Sequence, residues 1–453
     1  MSKFDGFEHR ILIEEKNCAI TCNDSLCKKC KLCIKACTEE TGVYPKYDLE
    51  KNGDHPVCIN CGKCVLACPF GALSEVDDTL KVEEALNDKD KITVFLTAPA
   101  VRVSIGEAFN MPLGSFVEKK MVSALRALGA NYVLDVTFGA DMTVMEEANE
   151  LVERINNKDK LPLFTSCCPA WVDYCEIFFP NLINNLSSTK SPIAIQSTLV
   201  KTYFAKKLDL DPKKIVVISV TPCTAKKAEA KRSELNGASK INKTNTNDCD
   251  ISITTREFAK LIKKHNIDFS SLEDSNFDSI TGIGSSAGLI FGSSGGVLEA
   301  TLRTAHFLIT GVDATKSDFI KYESLRGVEN IKEAYVKIGD KELHVARISR
   351  MSDACQFIQN MLDNNIHYDF IEVMSCALGC INGGGQIKFI RKPQIEEAKQ
   401  NRTNELLKAE NTKKVKLSYK NEEVLKVYRE FINESNRHEL LHTIFFDKSN
   451  ELG

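Results

Sequence analysis

Short apolar runs rich in β-branched residues recur through the middle of the chain, at residues 92–96, 132–136, 214–220, 345–348 and 370–374. Continuous apolar runs of this length read as buried strands. Between them lie longer stretches with apolar residues at helical spacing, notably 142–155, 193–208, 255–265 and 353–363. Strand and helix in alternation predict sheets flanked by helices. Beyond residue 392 the chain turns polar and helical, with short helices expected at 422–433 and 437–443.

Ahead of residue 92 the pattern gives way to cysteine. Cys27-x2-Cys30-x2-Cys33-x3-Cys37 recurs as Cys58-x2-Cys61-x2-Cys64-x3-Cys68, followed by Pro69, and a charged helical connector at 79–91 ends the unit. Ten of the 18 cysteines lie between Cys18 and Cys68. No secretory signal is visible in the first twenty residues, and a reducing cytosol disfavours disulfides, so metal ligation explains the spacing better. A cubane cluster needs four thiolates converging on one point. A C-x2-C-x2-C turn delivers three, and in two-cluster ferredoxins the fourth cysteine of each run crosses to the other cluster. That pattern predicts Cys27, Cys30, Cys33 and Cys68 on one [4Fe–4S] cluster, with Cys58, Cys61, Cys64 and Cys37 on a second. Zinc is the competing reading, but it normally uses pairs of Cys-x2-Cys. Cys37 precedes Thr38 where a proline often follows. Cys18 and Cys22 are surplus to eight ligands, and are either plain buried thiols or substitute ligands for the first cluster. Lys28, Lys29, Lys31 and Lys35 crowd the first motif, as a solvated face or as a docking patch for an acidic electron carrier.

The chain has 453 residues, room for two or three domains, with 43% hydrophobic and 27% charged residues. A net charge of −3 gives no general attraction to nucleic acid or an acidic membrane. No apolar run approaches transmembrane length. A cytoplasmic enzyme is the expectation.

More cysteines stand where predicted strands end. They are Cys167 and Cys168 in Thr165-Ser166-Cys167-Cys168-Pro169-Ala170-Trp171, Cys223 after Thr221-Pro222, and Cys376 and Cys380 in the segment 372–380. Ligand sites in open α/β sheets gather at the carboxyl ends of strands. Spacing alone suggests a third [4Fe–4S] cluster, with metal-free buried thiols as the alternative. Gly383, Gly384 and Gly385 would let backbone approach a ligand closely.

At these residues the sequence resembles the [FeFe]-hydrogenase family. The signatures TSCCPxW, PCxxKxxE and ExMxCxxGCxxGGGQ stand at 165–171, 222–229 and 372–386. The resemblance covers nearly the whole chain, and no plant-type [2Fe–2S] segment precedes the ferredoxin-like repeat. It implies an α/β catalytic domain (86–395) of two sheet-and-helix lobes enclosing the active-site cluster. An α+β bacterial-ferredoxin-like domain (1–85) precedes it, and a small-subunit-like helical segment (396–453) follows. Cys168, Cys223, Cys376 and Cys380 would hold the [4Fe–4S] half of the H-cluster. Cys380 would bridge to a di-iron unit carrying CO, cyanide and an azadithiolate. Lys226 would hydrogen-bond a cyanide, a charged donor suiting a buried anion, and Met374, Pro99 and Ala100 would line the di-iron site. The implied activity is reversible conversion of protons and electrons to H2. Ferredoxin or flavodoxin would exchange the electrons, and dedicated enzymes would mature the di-iron unit. A monomer without nucleic-acid or membrane partners is expected.

Glu147, Glu150 and Arg154 fall on one helix face at i, i+3 and i+7. Such a set is ordinarily a surface ion pair. With Cys167 and Ser187 it resembles the family's proton relay, running thiol, carboxylate, hydroxyl, carboxylate. Departures are Thr221 for the usual methionine before Pro-Cys, Ser375 for alanine, Ile193 for a polar residue and Ile387 for proline. None removes a ligand. His438-Glu439-Leu440-Leu441-His442 matches the zinc-protease signature H-E-x-x-H. It lies in a polar tail with no obvious third ligand, and reads as packing or hydrogen-bonded histidines. The competing functions are an iron–sulfur assembly protein lacking the di-iron unit, and a hydrogen sensor.

Overall fold

A computed structural model describes residues 9–279, 281–314 and 330–453. Its N-terminal unit builds the same loop twice. Lys29 and Lys31 take φ of 55° and 60°, and the matching residues of the second motif, Asn60 and Gly62, take 57° and 71°. Turns of this kind aim successive N–H groups into one concavity, a cradle for an anionic group. A short helix follows each loop, Leu32–Ala36 and Lys63–Ala67. Strand β1 (Ile20–Cys22) pairs antiparallel with β2 (Leu73–Glu75), closing the unit over Ile11, Ile13, Val65 and Leu73. The copies differ at their ends. Cys68, ahead of Pro69, turns extended at ψ 105°, whereas Cys37 stays helical at ψ −35° and runs into a wide turn, Cys37–Thr41. Thr38 permits this, because a proline there would lack the N–H and its ring would crowd the preceding turn.

The rest of the chain holds two four-stranded sheets. In the first, β3 (Ile92–Thr97), β4 (Tyr132–Asp135), β6 (Ile215–Thr221) and β7 (Ile251–Thr254) are parallel in the order β4-β3-β6-β7. In the second, β5 (Leu163–Phe164), β8 (Ile331–Ile338), β9 (Lys341–Ser349) and β10 (Phe370–Met374) run in the order β5-β10-β9-β8. Only β8 is antiparallel to its neighbour. The five expected strands are present. β5, β7 and β8 are additional. β8 exposes Glu333, Tyr335 and Lys337 along one face, so it lacks the continuous apolar run of a buried strand.

The helix Thr137–Asn157 joins the two halves. Phe138 and Met142 pack on Ile195, Leu199 and the tail residues Val424 and Leu440. Ala148, Leu151 and Ile155 pack beneath the second sheet against Val345 and Phe370. The helix expected over 193–208 is present from Pro192 to Lys207 and widens for one turn at Val200–Phe204 without leaving helical dihedrals. The boundaries drawn at 85/86 and 395/396 both fall inside helices, Thr79–Asn87 and Lys392–Thr412. Packing explains why neither junction is a linker. Val82 belongs to the core of the first sheet, and buried Arg402 of the second helix bonds Glu107 and the Ile381 carbonyl.

The glycine run makes a second contact besides lining the central space, where Gly383 stands. A Cβ on Gly384 would lie 2.0 Å from the Cys61 carbonyl, and one on Gly383 would lie 2.2 Å from the Pro222 carbonyl. These glycines let backbone meet backbone where the ferredoxin-like unit docks. Lys63 Nζ to the Asn382 carbonyl (3.1 Å) and Thr224 Oγ1 to the Asn60 carbonyl (2.6 Å) complete that seam.

Candidate active site

The carboxyl ends of the strands open on one buried space. Cys223 follows β6, Cys376 and Cys380 follow β10, and Cys168 begins the helix Pro169–Phe178 just beyond β5. A cavity of about 90 Å³, room for several water molecules, lies among them. Protein interiors leave few voids larger than a water molecule, so a space of this size is a ligand site. Pro99, Ala100, Ile193, Met374 and Phe291 supply apolar walls, and Cys167 and Lys226 face it as well. Gln386 fixes the Ala100 wall by donating to its carbonyl at 2.9 Å.

The donor set fits an iron–sulfur cluster. Burial pushes the Cys168 thiol up to about 11 and Cys223 up to about 12, with Cys380 well above its ordinary value. Thiols so placed ionise together only around a multivalent cation. Among the described residues no three His, Cys, Asp or Glu side chains are grouped to hold a single metal ion; here the thiols ring a wider space. The buried Ser375 hydroxyl lacks a protein partner at the wall of that space. Lys226 supplies a cation. Burial alone would lower it, but Glu229 at 2.7 Å outweighs that and holds it above its usual value. Lys226 Nζ also reaches Ser191 Oγ at 2.9 Å.

A second space, against the surface, is lined by Cys27, Cys30, Cys33 and Cys68. Ile11 N–H donates to Cys33 Sγ at 3.3 Å. Cys68 is held below its ordinary value, because hydrogen bonds from the backbone of Leu73, Phe70 and Ala72 outweigh its desolvation. Cys37, Cys58, Cys61 and Cys64 form the other set, near enough for their charges to act on one another. Cys61 also lines the central space and feels Cys376. Cys18 and Cys22 pack against the N-terminal core, Cys22 bonding Asp24 at 3.6 Å.

Away from the ferredoxin-like unit, the central space borders a polar file. Cys167 is next to Glu147, whose charge acts on its thiol. Glu147 accepts from Thr301 Oγ1 at 3.2 Å and lies within hydrogen-bonding reach of Ser187. Ser187 Oγ donates to Glu150 Oε2 at 3.0 Å, and Arg154 clamps Glu150 at 2.5 Å. Cys167, Glu147, Ser187, Glu150 and Arg154 thus lie together beside the central space.

Comparison with known proteins gives the family. The sequence profile of the iron-only hydrogenase large subunit, C-terminal domain, matches residues 91–384. That of the iron hydrogenase small subunit matches 396–448, and a 4Fe–4S binding domain matches 54–74. Iron hydrogenase 1 of Clostridium pasteurianum is 40% identical over 95% of this chain and 76% of its own length. The chain belongs to the [FeFe]-hydrogenase family. The NADP-reducing hydrogenase subunit HndD of Solidesulfovibrio fructosivorans is 38% identical over 99% of this hydrogenase and 78% of its own length. The solved structure of [FeFe]-hydrogenase HydA1 from Chlamydomonas reinhardtii, in a variant form, superposes with a TM-score of 0.70 at 31% identity. It covers 82% of this chain and 99% of that one. Cytosolic iron-sulfur assembly component 3 of Bos taurus is more distant, at 29% identity over 76% of this chain and 73% of its own. The hydrogenase carries [4Fe–4S] and H-cluster sites as members of its family do. Among the described residues no helix is long and apolar enough to cross a membrane.

Several residues of the site had drawn no role from the motifs. Glu372 accepts from Gly295 N (2.6 Å) and Leu298 N (2.8 Å) at the start of the helix Gly296–Thr310, placing that helix and its Thr301 beside Glu147. Its place in the third signature was the only signal. Thr221 clamps the Cys223 loop, accepting from the Cys223 N–H at 3.4 Å and donating to its carbonyl at 3.0 Å. The Ile387 carbonyl accepts from Arg402 at 3.1 Å.

Burial, reinforced by the charge on Glu150, pushes Glu147 up to about 8 against hydrogen bonds from Ser187 and Thr301. The folded value lies above the ordinary 4.5, so stability linked to this group is complete at low pH. It is lost as pH rises from the unfolded towards the folded value. Glu147→Gln removes the titration. The melting temperature of the variant should gain on that of the parent from about pH 5 to about pH 8 and then level off. A gap that stays constant across this range would show that Glu147 ionises normally.

Proposed function

We propose that this hydrogenase interconverts H2 with protons and electrons in both directions at a di-iron H-cluster. Two accessory [4Fe–4S] clusters would exchange the electrons with ferredoxin or flavodoxin. One observation carries the reading: a single buried space meets four thiols, a paired lysine, a file of proton-bearing side chains and the rim of a second thiol set. When bound, the H-cluster supplies an open iron site and a basic amine at which H2 is formed or cleaved.

The residues then have distinct tasks. Cys168, Cys223, Cys376 and Cys380 would hold the cubane, with Cys380 also serving the di-iron unit. Lys226, oriented by Glu229 and Ser191, would donate to a cyanide. Pro99, Ala100 and Met374 exclude water, which strengthens every polar contact inside. Cys167 passes protons to and from Glu147, and Ser187 connects Glu147 with Glu150 beside Arg154. Glu147 suits that position, because a carboxyl group titrating near 8 can both donate and accept at neutral pH. Electrons take the opposite side, past Cys61 to the set of Cys37, Cys58 and Cys64, then to that of Cys27, Cys30, Cys33 and Cys68. Lys28, Lys29, Lys31 and Lys35 are exposed around the outer set. Leu26, Leu32 and Phe70 are exposed as well, and the four lysines suit an acidic carrier.

Cys380→Ser should abolish H2 evolution while the spectroscopic signals of the accessory clusters persist. Normal H2 evolution by that variant would refute the ligand assignment. Neutralising Lys28, Lys29, Lys31 and Lys35 together should slow electron exchange with an acidic ferredoxin, by less as salt is raised. Activity with a small viologen dye should be preserved; equal losses with both donors would place the damage in the outer cluster instead.

A further inference from the structure

The end of the polar file is tied to the C-terminal tail. Ser188 Oγ lies 3.3 Å from Glu150 Oε2 and 3.0 Å from His442 Nδ1. On the other side of the ring, His442 Nε2 is 2.9 Å from Glu146 Oε2. A short antiparallel pairing holds the histidine there, with Thr443 N donating to the Ser188 carbonyl and Lys190 N to the Leu441 carbonyl, both at 2.8 Å. Glu150, Arg154, Ser188, Arg437 and His442 all face an open surface groove. The His442 side chain is 18% exposed, against 1% for Glu146.

These groups differ in what they can do with a proton. Arg154 and Arg437 stay charged at any working pH. Glu146 is also fixed. Burial would raise it, but hydrogen bonds from His442, Arg437 and Tyr428 more than offset this and keep it below its ordinary value. His438, with its ring centre 6.0 Å from that of His442, bonds neither carboxylate. An imidazole with one nitrogen on the hydroxyl file, the other on a fixed carboxylate and an edge in solvent is arranged as a proton shuttle.

We propose that His442 exchanges protons between the Glu150 end of the relay and water in the groove, with Glu146 as the positioning residue that orients its ring. In the direction of H2 formation, the imidazolium gives its Nδ1 proton to Ser188 Oγ. The Ser188 hydroxyl proton passes to Glu150 Oε2. The neutral ring keeps its Nε2–H on Glu146, and a hydronium ion in the groove returns a proton to Nδ1 and leaves as water. H2 oxidation runs the same transfers backwards. The inference rests on the reading of Glu150 as the outer end of the relay.

The test compares matured His442→Gln, Glu150→Gln and His438→Gln proteins, with and without added imidazole. Turnover is normalised to the intensity of the CO and cyanide infrared bands, so that variants maturing poorly are still judged per active site. Turnover by His442→Gln should fall ~10-fold or more, the scale of a lost positioned proton donor, and imidazole should restore most of it in proportion to concentration. Glu150→Gln should fall at least as far without rescue, and His438→Gln should match the parent. Normal turnover in His442→Gln alongside an inactive Glu150→Gln would leave the relay standing and overturn the role of His442. A loss in His442→Gln that imidazole does not restore would mark the histidine as packing for the tail, again overturning the proposal. Normal turnover in Glu150→Gln would overturn the relay itself, and this inference with it.

Discussion

Everything around the active site answers one electrostatic demand. Four half-buried thiols lining the central space and the fully buried carboxyls of Glu147 and Glu372 lie within one small region of the protein. Anionic charge in such surroundings is costly unless it is paired, hydrogen-bonded or neutralised by a proton. Each remedy is visible. Backbone N–H groups meet Cys168 and Cys33. Lys226 is kept charged by Glu229. Glu372 spends both oxygens on the first turn of a helix, and Glu147 favours its protonated form to about pH 8. A group that holds its proton in order to be buried at neutral pH is also one that can give it up, so the cost of burial and the capacity to relay protons have one origin.

On the proposed function, the same constraint separates the proton route from the electron route. Protons need side chains that titrate or rotate, and these come from the helix Thr137–Asn157 and the adjoining segment 187–188. Electrons need closely spaced clusters and no mobile groups, and that side is backbone packed on backbone at Gly62 and Gly384. The helix serves one more purpose. It carries Glu147 and Glu150 on one face, one turn apart, and Glu146 to the side of that face, so one element reaches from the buried site to the groove at its outer end.

Much of this was legible in local spacing. The cysteine motifs are short, their chemistry dictates their intervals, and cysteines after apolar strands belong where parallel sheets present ligand sites. Glu147, Glu150 and Arg154 sharing a face followed from helical periodicity alone. What escaped was set by long-range packing. Ser188 and His442 meet across 254 positions of sequence, through a pairing of the tail with a loop that no periodicity announces. The contact of Gly384 with the Cys61 backbone is hidden from local sequence for the same reason. β8 exposes Glu333, Tyr335 and Lys337 along one face and so did not look like part of a buried sheet. Helix continuity across residues 85 and 395 likewise depends on partners, Val82 on the first sheet's core and Arg402 on Glu107.

The central claim is that the buried, thiol-lined space is built for a di-iron cluster carrying CO and cyanide, and not for a cubane alone. Infrared spectroscopy of the protein after maturation tests it most directly. The account predicts sharp CO and cyanide stretching bands that shift when the gas phase is changed from argon to H2. A matured protein with its iron–sulfur clusters intact but with no such bands would contradict it.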